Sequence, residues 1–233
     1  MIAPISLSKP VHNIFQKGLI RGSAHMPYDP EKAYFYVEHP DFTPSGGAQG
    51  WRIYLRACCF IHEKPHAKRE ESGECVDPSR FIVVKRTGKP MNGKEWEPPK
   101  GQMEGKDGLR DPKAPLLSIL RDNVKREVAE ESRIQNLQGL RYTGLVFQGV
   151  ESDYQPNTFF QYHIFQALVT PKEWMRASAE LDWCREHPAA FARMKRDKRE
   201  KDMLSWFSPS ETRMMGRWSP KIVAMYLKNS RHL

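Results

Sequence analysis

Between residues 117 and 131 the chain repeats apolar residues at steps of three and four, Leu117, Leu120, Val124 and Val128, and then sets Glu127, Glu130 and Glu131 into the last five positions. The spacing predicts an amphipathic helix, and Pro115 suits its first turn. At 100° per residue the three glutamates fall within an arc of about 100°, so they crowd one side of the helix. Glu131 projects within about 20° of the Val124 direction, at the edge of the apolar stripe, where an unpaired carboxylate is costly. Something positive has to compensate. Lys125 and Arg126 could do so as weak surface pairs on an exposed acidic face. A hard divalent cation, which takes carboxylate oxygens, waters and substrate phosphates, is the other solution.

The remaining patterns supply a sheet. Trp51, Ile53 and Leu55 alternate with Arg52, Tyr54 and Arg56, the period of a half-buried strand, and the run continues to Ile61. Residues 81–85 (FIVVK) read as a second strand, with the charged, Gly/Pro-punctuated residues 62–79 as a long hairpin connection. Residues 95–97 read as a short strand running into a Pro-Gly turn, 139–150 and 159–169 as two further strands, 204–207 as a short strand and 221–228 as a terminal helix. Residues 171–201 read as helical and polar, with the basic cluster Arg193, Lys195, Arg196, Lys198, Arg199 and Lys201 near their end. The first 45 or so residues are rich in Pro, Gly and His and are expected to be irregular with short pieces of structure. The organisation expected is therefore an N-terminal arm, 1–50, and one α/β domain, 51–233, with a helical basic insertion at about 171–201.

Composition narrows the partners. Among 233 residues, 37 Lys and Arg against 28 Asp and Glu give a net charge of +9, which favours a polyanion. No apolar run approaches the roughly 18 residues of a membrane span, and the first residues lack the features of a signal peptide. A cytoplasmic protein with no membrane contact is expected. The four cysteines, Cys58, Cys59, Cys75 and Cys184, form no CxxC pair and read as reduced, mostly buried thiols. His62, His66 and His163 show no metal-ligand spacing, and His163 in QYHIF reads as a satisfied sheet residue. Trp174, Trp183, Trp206 and Trp218 could stack on a base, although a lone Trp more often lies in a core or at its rim.

Arg126-Glu127-Val128-Ala129-Glu130-Glu131, preceded by Pro98-Pro99-Lys100-Gly101 and followed by Ile134, resembles the Nudix box, whose pattern is Gly, five residues, Glu, seven residues, then Arg-Glu-apolar-x-Glu-Glu-x-Gly-apolar. The upstream FIVVKR and EWEPPKG also look like the segments that precede that box, and DMLSWFSPSE is similar to the strand and acidic turn that close many Nudix domains. Two departures stand out. Asp107 replaces the first Glu and is separated from Arg126 by 18 residues, an insertion of about 11 at roughly 108–118. Arg133 stands at the late Gly position, where a left-handed cap favours Gly by about 1 kcal/mol.

The resemblance implies a Nudix-like α/β/α sandwich with a mixed sheet and helical insertions, and hydrolysis of a diphosphate linkage. It implies that Glu127, Glu130 and Glu131, with the Gly101 carbonyl, bind Mg²⁺ or Mn²⁺, that Glu127 or Glu130 orients or deprotonates water, and that Arg126 holds the glutamate array. Arg86 and Lys100 are candidate phosphate-binding residues, and Glu151, Asp153, Glu200 and Asp202 are candidate general bases outside the box. The long insertions, the basic surplus and SPKIVAMYLKNS look like the Nudix proteins of large DNA viruses, several of which remove mRNA caps. Capped RNA is therefore the leading substrate. Diphosphoinositol polyphosphates, dinucleoside polyphosphates, and a catalytically silent RNA-binding module are the alternatives, and protein partners are left open.

Overall fold

The computed structural model describes residues 11, 14, 20–21, 34–37, 51–65, 76–89, 95–104, 107, 114–150 and 158–230. Its organising element is strand β3 (Trp51–Glu63), preceded by the short strands β1 (Ile20–Arg21) and β2 (Tyr34–Val37). β4 (Ile82–Arg86), β5 (Trp96–Glu97) and β6 (Lys100–Gln102) follow, then helix α1 (Leu116–Ser132). Strands β7 (Gln138–Val150) and β8 (Thr158–Val169) precede helices α2 (Pro171–Glu186) and α3 (Pro188–Ala192). A 3-10 turn (Arg196–Arg199), strand β9 (Lys201–Trp206) and helix α4 (Ser219–Asn229) complete the order.

The larger sheet runs β1-β2-β3-β8-β7, and β6 also pairs with β3. β8 lies parallel to β3 from Arg52–Thr158 to Glu63–Val169, while β2, β6 and β7 join antiparallel, so the sheet is mixed. β8 fills one edge of β3 along its length, and β2 and then β6 share the other. This corrects the hairpin expected across 62–79. With both edges of β3 taken, only an isolated bridge, His62–Phe81, joins it to the residue before β4, and β4 pairs instead with β5 and β9 in a second, three-stranded sheet.

Strand alternation then builds two cores. Ile53, Leu55, Ala57, Cys59 and Ile61 pack with Leu120, Val124 and Val128 of α1 and Ala177 and Leu181 of α2. Cys58 and Phe60 face the other way, with Tyr162 and Ile164 of β8 and Ile222, Val223 and Tyr226 of α4. β4 and the residue before it divide likewise, Ile82 to the first core and Phe81 and Val83 to the second. The chain is thus an α/β/α arrangement, helices covering both faces of the strands. Among the described residues no helix is long and apolar enough to cross a membrane.

Cys58, Cys59 and Cys184 are buried thiols, and Cys75 and His66 lie outside the described residues. His62 is satisfied by the Tyr226 hydroxyl at 2.6 Å and the Arg80 carbonyl at 2.9 Å. Trp174 and Trp206 stack on each other at the first core, Trp218 packs beside Phe147 at the second, and Trp183 is exposed, stacked on His187.

Candidate active site

α1 docks its polar side on β6 through side-chain bonds to backbone. The Lys100 N–H donates to Glu131 Oε2 at 2.9 Å, and Asn123 Nδ2 donates to the Gln102 carbonyl at 3.2 Å. The helix starts at Leu116, so the end of the expected insertion lengthens the helix rather than a loop. At its other end Arg133 takes the left-handed conformation, φ 64°, that Gly would adopt freely. Its buried side chain offsets that strain by donating to the carbonyls of Glu130 and Lys198 and lying 3.4 Å from Glu180.

Between α1, β6 and the 3-10 turn lies a cleft of about 330 Å³, lined by Arg56, Lys100, Gly101, Gln102, Glu104, Arg126, Glu127, Glu130, Glu131, Asp197 and Glu200. Glu127, Glu130, Glu131, Arg126, Gly101 and Lys100 are thereby brought together. Arg86 is not among them: it is exposed at the end of β4. Of the candidate bases, Glu200 reaches the cleft, Asp202 instead accepts the Gly88 N–H at 3.1 Å, and Glu151 and Asp153 lie outside the described residues. Asp107 accepts the Glu104 N–H at 2.9 Å and stands 3.7 Å from Arg126.

The crowding read from the helix is relieved in two ways. Arg126 forks across two glutamates, Nη2 on Glu127 Oε1 at 2.7 Å and Nη1 on Glu130 Oε2 at 2.9 Å. Burial nevertheless pushes the Glu127 carboxyl up to about 8, against Arg126 and with Glu131 and Glu130 adding repulsion. Glu130 is raised by burial as well. Glu131 is buried and meets Lys201 Nζ at 3.1 Å. Burial holds its carboxyl above the usual range despite that ammonium.

Lys201 also donates to Glu97, whose second oxygen takes Lys100 Nζ at 2.5 Å. Burial opposes charge on Glu97, but the two ammoniums outweigh it and hold its carboxyl down at about 2. Lys201, counted from sequence with the basic cluster, is thus a buried member of a four-residue charge network rather than a surface cation. A lysine that faces carboxylates is indistinguishable by sequence from its solvated neighbours.

Gly101 is the floor on which Glu127 rests. A Cβ there would lie 1.8 Å from Glu127 Cδ and 2.0 Å from Oε2. Among the described residues no group of three or more His, Cys, Asp or Glu side chains is arranged to hold a metal ion. The donors still suit Mg²⁺ or Mn²⁺ in kind. They are hard oxygens, and among the described residues the six carboxylates of the cleft outnumber its three cations in a chain whose net charge is +9. Sequence reasoning missed Glu104, Asp197 and Arg56, which come to the cleft from a loop, the 3-10 turn and β3.

No family model and no curated protein matches the chain. In fold it is similar to a Nudix hydrolase from Nitrosomonas europaea, with a TM-score of 0.41, 12% identity, and 77% of this chain and 89% of that chain covered. It is also similar to an ADP-ribose pyrophosphatase from Streptococcus suis, with a TM-score of 0.40, 14% identity and coverage of 76% and 92%. A C. elegans Ap4A hydrolase gives 0.37, 13%, 76% and 96%. At these scores the likenesses add no chemistry to the site.

Proposed function

We propose that the chain is a metal-dependent pyrophosphohydrolase of Nudix type that cleaves the diphosphate linkage in the cap of RNA. The observation that carries the reading is the seating of Glu127 on Gly101, its carboxylate fixed by Arg126 and its charge disfavoured until a further positive group arrives. Glu127, Glu130 and the Gly101 carbonyl would hold Mg²⁺ or Mn²⁺, with Glu131 anchored behind them by Lys201 and the Lys100 N–H. Such an ion supplies charge that offsets the diphosphate oxygens and makes water a stronger acid. Arg126 keeps the two glutamates in place, and Glu200 at the rim supplies a carboxylate that can take a proton from water.

The RNA half of the reading rests on the 3-10 turn. Asp197 and Glu200 line the cleft from a segment whose Lys195, Arg196, Lys198 and Arg199 are exposed. That alternation supports a track for a nucleic-acid backbone leaving the cleft. The test is product formation from cap-labelled RNA with Mg²⁺ and with Mn²⁺, comparing wild type with Glu130→Gln. Metal-dependent release of a methylated guanosine diphosphate, lost in the variant, is the expected result. Release that persists in Glu130→Gln refutes the site. No release from capped RNA together with turnover of small diphosphates refutes the cap.

A further inference from the structure

Among the described residues the cleft holds three cations, and two of them are already engaged by carboxylates. Lys100 is bound to Glu97, and Arg126 to Glu127 and Glu130. Arg56 differs. It reaches the cleft from the middle of β3, where its Nη1 donates to the Tyr162 hydroxyl at 2.7 Å and its Nη2 to Gln102 Oε1 at 3.3 Å, both neutral partners. Its guanidinium lies 4.3 Å from the Phe160 ring centroid and 5.4 Å from that of Tyr162. Its Nε is buried without a hydrogen-bond partner, and among the described residues no carboxylate pairs with it.

An arginine cannot shed its charge to relieve such a setting, because its pKa is too high. A half-buried lysine can be neutralised; a half-buried guanidinium keeps its charge and gains from a directly bonded anion. The ring faces of Phe160 and Tyr162 and the bonds to Tyr162 and Gln102 fix its plane, so little order is lost when a ligand arrives. A planar fork of donors matches two oxygens of a phosphate.

We propose that Arg56 is the residue that binds the substrate's diphosphate, in place of the Lys100 and Arg86 that the sequence suggested. This rests on the pyrophosphohydrolase reading and names the anion-binding group within it. Gln102 and Tyr162 are positioning residues that set the guanidinium. The ligand class follows from the donor set: a phosphate or diphosphate, held on the sheet side of the cleft opposite the α1 glutamates.

The test uses methylenediphosphonate, whose P–C–P bridge resists hydrolysis, titrated calorimetrically into the full chain in EDTA and again with Mg²⁺. The variants are Arg56→Gln, which removes the charge, and Arg56→Lys, which keeps the charge and most of the stem but loses the fork. Arg56→Gln is expected to weaken binding at least tenfold in both conditions and to raise KM for a hydrolysable diphosphate more than it lowers kcat. Arg56→Lys, the variant that preserves the packing should the Gln form fail to fold, is expected to weaken binding three- to tenfold. Wild-type affinity in either variant, or no binding of the probe by the wild type, overturns the assignment to Arg56. A wild type that turns over no diphosphate yet binds the probe through Arg56 refutes the hydrolase reading and supports the anion site.

Discussion

Replacing Gly101 with alanine tests whether the position of Glu127, rather than its mere presence, governs turnover. The added methyl would lie 1.8 Å from Cδ, 2.0 Å from Oε2 and 2.3 Å from Cγ of Glu127, so the carboxylate has to retreat by about 1 Å or more. Because the obstacle is the far end of a long side chain, the fold can yield there. An off-rotamer side chain costs about 0.5–1.5 kcal/mol. Part of the 2.7 Å bond from Arg126 is lost as well, a charged hydrogen bond being worth about 1.5–3 kcal/mol before solvent recovers some of it. A net loss of about 1–3 kcal/mol in stability is expected. Turnover should fall further, since about 1 Å of misplacement in a reacting group costs on the order of 100-fold in rate. The assay is kcat/KM on a diphosphate substrate alongside urea unfolding of Gly101→Ala, Glu127→Ala and the double variant. In the Glu127→Ala background the methyl meets no carboxylate, and the second substitution should cost under about 0.5 kcal/mol. An equal stability loss in both backgrounds would refute the contact as the cause, and wild-type turnover in Gly101→Ala would remove Glu127 from the chemistry.

Three further outcomes are expected. Lys201→Met leaves Glu131 facing burial with only the Lys100 side of the network, so urea unfolding should show a loss of about 3–5 kcal/mol; a loss under 1 kcal/mol would show the network to be dispensable. His163 is buried, and that pushes its imidazole down to about 4. The unfolded chain therefore takes up its proton first, and His163's share of the stability is intact above about pH 6.5 and lost as pH falls from 6.5 towards 4, by up to about 3 kcal/mol. His62 is lowered in the same direction, so His163→Gln should shallow that decline without abolishing it; an unchanged slope refutes the assignment. Replacing Lys195, Arg196, Lys198 and Arg199 together by Gln should flatten the log–log salt dependence of capped-RNA binding by up to about 3 if each meets a phosphate. An unaltered slope assigns those exposed side chains to solvent.

Helix α1 was legible because Leu117, Leu120, Val124 and Val128 must share a face, and with it the clustering of Glu127, Glu130 and Glu131. β7 and β8 were legible from branched and aromatic runs. β6 was not: three residues, Lys-Gly-Gln, carry no periodicity, and their strand character comes from bonding to β3. The pairing of β4 was misread because local sequence favours a neighbour in the chain, whereas β8, from far along it, had taken the edge of β3. Arg56 was hidden for a related reason. On an alternating strand it reads as solvent-facing, and the rings of Phe160 and Tyr162 that enclose it lie more than a hundred residues away in the chain.

That same separation bears on how the molecule comes to exist. The parallel pairing of β3 with β8 runs without interruption from Arg52–Thr158 to Glu63–Val169 and sets both cores, yet Arg56 and Tyr162 are 106 residues apart. Closing so long a loop precedes any reward from the contacts it makes, which slows folding. During synthesis α1 can form as soon as it emerges, carrying its three glutamates, and β3 and β6 are already made, but β3 lacks its long parallel partner until Val169 has been added. The glutamates are therefore synthesised well before the cleft is complete: the rings that set Arg56 come some thirty residues later, and Asp197 and Glu200 later still.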